Sequence, residues 1–97
     1  MVFVHGFPEL WVSWKSQLSH FAAAGHPVLA LSMRSYGLSD KPTALAAFDA
    51  IPLGEEIRAA VAHMSKQQQA GAFEKTLLVA HDVRNFVAPC TAFFAVC

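Results

Sequence analysis

Charge is what this sequence has least of. Only 14% of its 97 residues are Asp, Glu, Lys or Arg, and seven of each sign cancel to a formal net charge of 0. There is no basic patch to neutralise phosphates, which argues against nucleic acid as a partner. Long apolar runs are missing too. None approaches the roughly 20 residues that span a bilayer, so no membrane span is expected. The start Met1-Val2-Phe3-Val4-His5-Gly6 has neither the basic residues nor the apolar length of a secretory leader, and a cytoplasmic address is the expectation. Cysteine is scarce: Cys90 and Cys97 lack both metal-site pairing and the density of a disulfide framework. They read as small buried hydrophobes. The five histidines are scattered singly and no glycine-rich loop cradles a phosphate. No metal and no cofactor are expected.

What is abundant is apolar. Hydrophobic residues make up 55% of the chain, and mean hydropathy is +0.38. A chain this short forms one small domain, residues 1–97, that buries about 60–65% of its extended surface. So much apolar surface with so little charge implies faces that other polypeptide covers.

Periodicity orders the elements. Val2-Phe3-Val4 is a short β-branched and aromatic run, stopped by His5-Gly6-Phe7-Pro8. Trp11, Trp14, Leu18 and Phe21 then recur at helical spacing, predicting a helix from Trp11 to Ala24 with Ser13 as cap and Gly25 as stop. Pro27–Leu31 reads as a second strand, buried on both faces within a parallel sheet. Arg34–Pro42 is a polar, turn-rich loop. Thr43–Gly54 is weakly patterned. Glu55–Ala70 is the clearest helix, with Ile57, Val61 and Met64 on one side and Glu55 and Glu56 at its positive end. Thr76–Ala80 is a third strand, and 85–97 is apolar enough for a buried helix despite Pro89. Strands alternating with helices predict an α/β fold: a three-stranded parallel sheet with crossover helices.

Several stretches then line up in order and spacing. They are His5-Gly6-Phe7-Pro8-Glu9-Leu10-Trp11, Ser13-Trp14-Lys15-Ser16-Gln17, Gly25-His26-Pro27-Val28-Leu29-Ala30, Arg34–Pro42, and His81-Asp82 at the end of the third strand. Together they resemble the α/β-hydrolase superfamily, in its epoxide hydrolase and haloalkane dehalogenase-like branch. The resemblance implies a partial α/β-hydrolase fold that begins at the family's third strand and ends in the helix after its fifth. The first two strands, the cap and the C-terminal half are expected to be missing.

By that resemblance Asp82 matches the nucleophile. Phe7 and Val83 would supply the backbone N–H groups of the oxyanion site, while His5, Gly6, Pro8, Arg34, Tyr36 and His81 lie in the supporting loops. Arg84 stands where the nucleophile turn has glycine, and Ser35 where its loop has one. The implied chemistry is hydrolysis of an epoxide or a carbon–halogen bond through an Asp82–alkyl ester. The partner implied is a small apolar epoxide or haloalkane, bound by a complete domain. The base histidine and its acid partner would come beyond Cys97, so this chain by itself is expected to be inactive. The alternative is a non-catalytic remnant or protein-interaction module that self-associates through exposed sheet edges.

Blander roles compete at each position. An Asp before a helix is by default an N-cap. Trp11, Trp14, Phe21, Phe93 and Phe94 read as core aromatics before ligand stackers. Arg34 reads as a loop hydrogen-bonding residue before an anion binder.

Overall fold

The computed structural model describes residues 1–67 and 76–82. Three short aliphatic segments form its sheet: β1 (Val2–Val4), β2 (Leu29–Leu31) and β3 (Leu78–Ala80). All are parallel, in the order β2-β1-β3, with Val2 opposite both Leu29 and Leu78 and Val4 opposite both Leu31 and Ala80. Flanked on both sides, β1 is wholly buried, as expected of a run with apolar residues on each face. Val2 and Val4 join Met33, Leu53, Ile57, Leu78 and Ala80 in the main core. Phe3 points the other way, with its ring 5.3 Å from Trp14 and 6.1 Å from Phe21.

The predicted first helix is in fact two pieces, a 3-10 turn over Trp11–Trp14 and then α1 (Lys15–Ala23). Ser13 therefore does not cap. It lies inside the 3-10 turn, donating its N–H to Leu10 O (3.0 Å), and Trp14 precedes α1 without a side-chain cap. The change of pitch rotates Trp11 outward, leaving it 46% exposed. Trp14, Leu18 and Phe21 stay half-buried, the two rings against Phe3. Gly25 stops the helix as predicted, at φ +85°. Its N–H reaches Ala22 O and the N–H of His26 reaches Phe21 O, both at 3.0 Å. That pair of bonds closes a Schellman motif, for which glycine's left-handed conformation is suited.

The second helix, α2 (Ala50–Gln67), starts before the predicted Glu55. Asp49 O accepts the Leu53 N–H at 3.3 Å, and Pro52 sits in the first turn, where a missing N–H costs nothing. Glu55 and Glu56 consequently fall outside that first turn. Glu55 pairs with Arg58 on the surface (3.2 Å) and Glu56 with Arg34 (3.0 Å). Leu53, Ile57 and Met64 are buried and Val61 packs against the core. Among the described residues β2 pairs only with β1, so it is half-buried rather than enclosed.

Residues 32–42 form the loop after β2. Ser35 adopts φ +70° there, the conformation that glycine takes without steric cost. Its N–H donates to Asp40 O at 2.7 Å, which fixes the turn. Ser35→Gly is expected to add roughly 0.5 kcal/mol, the relief of a left-handed residue less glycine's entropic cost. A thermal melt should rise by roughly 2–4 °C; a fall would contradict the strain.

Val83, Arg84, Pro89, Cys90, Phe93, Phe94, Cys97 and the expected helix over 85–97 lie outside the described residues. Among the described ones, no helix is long and apolar enough to cross a membrane.

Candidate active site

The chain moves from β1 out to β2 on one side and then returns past β1 to β3 on the other. Such a reversal of strand order opens a crevice at the carboxyl ends of the two strands it separates, where open α/β sheets place their ligands. Here those ends are His5-Gly6-Phe7-Pro8 after β1 and His81-Asp82 after β3.

His5 anchors the first of these segments. It is fully buried, lies 2.8 Å from Gly6 O through Nδ1, and lies 3.2 Å from the Met33 N–H through Nε2. Met33 N–H can only donate and Gly6 O only accept, so Nδ1 carries the proton. The Tyr36 ring stands edge-on to it at 4.6 Å. His5 thereby ties the exit of β1 to the loop after β2.

Beyond it, the Glu9 N–H donates to Gly6 O (3.0 Å), closing a tight turn that contains a cis Phe7–Pro8 peptide. Pro8 has no N–H to offer. Phe7 has one, and it donates to Asp82 Oδ2 at 3.1 Å. Phe7 as a whole is 69% exposed.

On the other side, the His81 N–H reaches Val4 O (3.2 Å) and its Nδ1 faces Glu9 Oε2 at 3.3 Å. Asp82 then takes φ +60° and is exposed. Few non-glycine residues hold that conformation without support from their surroundings, and strained positions of this kind cluster at functional sites. The two segments touch at Gly6. A Cβ there would lie 2.6 Å from Asp82 Cβ, 3.1 Å from His81 Nδ1 and 3.1 Å from His81 O.

Of the residues singled out from the sequence, His5, Gly6, Phe7, Pro8, His81 and Asp82 come together here. Tyr36 backs the site through His5. Arg34 reaches away from it, to Ala47 O (2.7 Å), Pro52 O (3.5 Å) and Glu56 (3.0 Å). Val83 lies outside the described residues. Sequence reasoning assigned no role to Glu9, although it sits inside the first quoted stretch. Its contact with His81 joins positions 72 apart in the chain, and no local pattern signals such a pairing. No group of three or more His, Cys, Asp or Glu that could hold a metal occurs among the described residues.

Residues 1–83 match the model of the alpha/beta hydrolase fold family. The chain belongs to that family. Within the α/β-hydrolases it is 33% identical over 88 residues to the AB hydrolase superfamily protein YfhM of Bacillus subtilis (strain 168), covering 91% of this chain and 28% of that protein. It is 35% identical over 88 residues to Epoxide hydrolase 1 of Caenorhabditis elegans, covering 91% and 20%. Epoxide Hydrolase A from Mycobacterium thermoresistibile superposes with a TM-score of 0.79 at 33% identity, covering 94% of this chain and 26% of that one. The chain spans about a quarter of the length of these relatives. Asp82 follows β3 directly, with the Phe7 N–H on its carboxylate.

Proposed function

We propose that Asp82 is the nucleophile of an epoxide hydrolase, attacking its substrate to form an alkyl ester. The observation that carries this reading is the Phe7 N–H held 3.1 Å from Asp82 Oδ2 while Asp82 stands exposed at φ +60°. The names of the relatives, epoxide hydrolases in worm and mycobacterium, support the substrate class. A carbon bearing a halide would react at the same carboxylate, expelling halide instead of opening a ring.

The chemistry proceeds in two halves. One carboxylate oxygen of Asp82 bonds to an epoxide carbon as that carbon's bond to the ring oxygen breaks. The ring oxygen opens as an alkoxide and takes a proton from water, giving a hydroxyalkyl ester and hydroxide. Oδ2, facing Phe7, becomes the ester carbonyl. When water adds to that carbonyl, the charge grows on Oδ2, where the Phe7 N–H already points. Val83 N–H is the proposed second donor.

Hydrolysis of the ester also needs a base. His5 is bonded to Gly6 and Met33 and His63 to Gln67, while His20 and His26 lie against Phe21. His81 is within the site, but its Nδ1 is taken up by Glu9. We therefore assign the base to polypeptide beyond these residues. The 97-residue chain, given a terminal epoxide such as styrene oxide, is expected to gain one hydroxylamine-labile substrate mass by intact mass spectrometry and to accumulate that adduct. Asp82→Asn should remove the labile gain. A parent chain that releases diol catalytically would contradict the assignment of the base.

A further inference from the structure

The turn from Gly6 to Glu9 is fastened to residues 81 and 82 at two points. Phe7 donates to Asp82 Oδ2 at 3.1 Å, and Glu9 Oε2 meets His81 Nδ1 at 3.3 Å. His81 Nδ1 also lies 3.1 Å from where a Cβ on Gly6 would sit, so the ring nitrogen that meets Glu9 is also the one that lies over Gly6. The Glu9 backbone closes the same turn on Gly6 O at 3.0 Å. One residue thus shapes the turn with its N–H and ties it to the nucleophile strand with its carboxylate.

We propose that Glu9 is a positioning residue for Asp82, acting through His81 to hold the Phe7 N–H on Oδ2. The inference rests on the reading of Asp82 as nucleophile, but the clasp itself can be tested without it. Its members are partly exposed, at 37% for the Glu9 side chain and 62% for His81, so cutting it should alter local geometry more than global stability. The carboxylate accepts from Nδ1–H, and a glutamine carbonyl oxygen can accept in the same way.

The full chain, Glu9→Ala and Glu9→Gln are compared by three readouts: thermal midpoint, amide hydrogen exchange at Phe7, and the rate of styrene oxide ester formation at Asp82. In Glu9→Ala, Phe7 exchange should quicken and ester formation slow, each by about tenfold or more, with the midpoint within about 2 °C of the parent. Glu9→Gln should restore both rates to within a few-fold. Unchanged Phe7 exchange in Glu9→Ala overturns the clasp, whatever Asp82 does. A slowed rate that only tracks a fallen midpoint overturns the positioning role in favour of a structural one. Exchange that responds while the parent forms no ester leaves the clasp but overturns its catalytic purpose, and the proposed nucleophile with it.

Discussion

Gly6→Ala is expected to slow ester formation at Asp82 by roughly 100-fold, the effect of a displacement near 1 Å in a reacting group. Backbone dihedral is not the reason; space is. The added methyl would sit 2.6 Å from Asp82 Cβ, a separation that real Cβ atoms do not tolerate, and 3.1 Å from His81 O. Two of its three nearest neighbours are a backbone oxygen and a Cβ, neither of which can swing aside as the end of a long side chain would. Relief must come from parting the turn after β1 from the end of β3, and that parting stretches the Phe7 N–H bond to Oδ2. Overpacking of this kind costs about 1–3 kcal/mol. The stability loss and the reactivity loss should therefore appear together, in a urea titration and in the rate of adduct formation. An alanine variant that melts and alkylates like the parent would mean that the two segments do not approach as described.

The second large effect is expected at His5. Its ring is completely buried and satisfies two backbone groups, Gly6 O and Met33 N–H, that have no access to water. His5→Ala leaves the Met33 N–H unpaired, removes one of the two donors to Gly6 O and opens a void beside Tyr36. An orphaned buried group costs about 1–3 kcal/mol, and with the void the loss, about 2–4 kcal/mol, is a large share of the roughly 5–15 kcal/mol that holds a domain together. His5→Asn should fall between, because a single amide can replace one of the two bonds. Urea unfolding followed by tryptophan fluorescence would register the series, since Trp14 packs on Phe3 next to His5 in β1's continuation. A midpoint for His5→Ala equal to the parent's would refute this role.

Much of this architecture was legible in the sequence because periodicity and punctuation agree. A β-branched run stopped by Gly6 and Pro8 gave β1, and apolar runs alternating with helical spacing gave β2 and β3. Gly25 was readable as a stop because few other residues suit its conformation. The first turn of a helix was harder to place. Ala50 to Gly54 carries Pro52, which looks like a breaker until it is seen to occupy the one turn where a proline fits. Trp11 looked apolar enough to be core, yet a 3-10 turn changes the angle between neighbours and turns it outward. At the site, the residue types were visible and their conformations were not. Nothing local marks Asp82 for φ +60° or Gly6 for contact with it, since both follow from how β1 and β3 pair across more than 70 residues of chain. Glu9 was hidden for the same reason.

The central claim, that Asp82 is the group that attacks, has a direct test in the position and lability of the bond it forms. Cys90 and Cys97 are thiols that react with epoxides on their own, so a mass gain alone does not locate the site. The chain should be treated with styrene oxide, digested, and sequenced by fragmentation before and after hydroxylamine. The prediction is a single adduct on Asp82, released by hydroxylamine as an ester must be, and absent from Asp82→Asn. An adduct confined to Cys90 or Cys97, resistant to hydroxylamine and undiminished in Asp82→Asn, would contradict it.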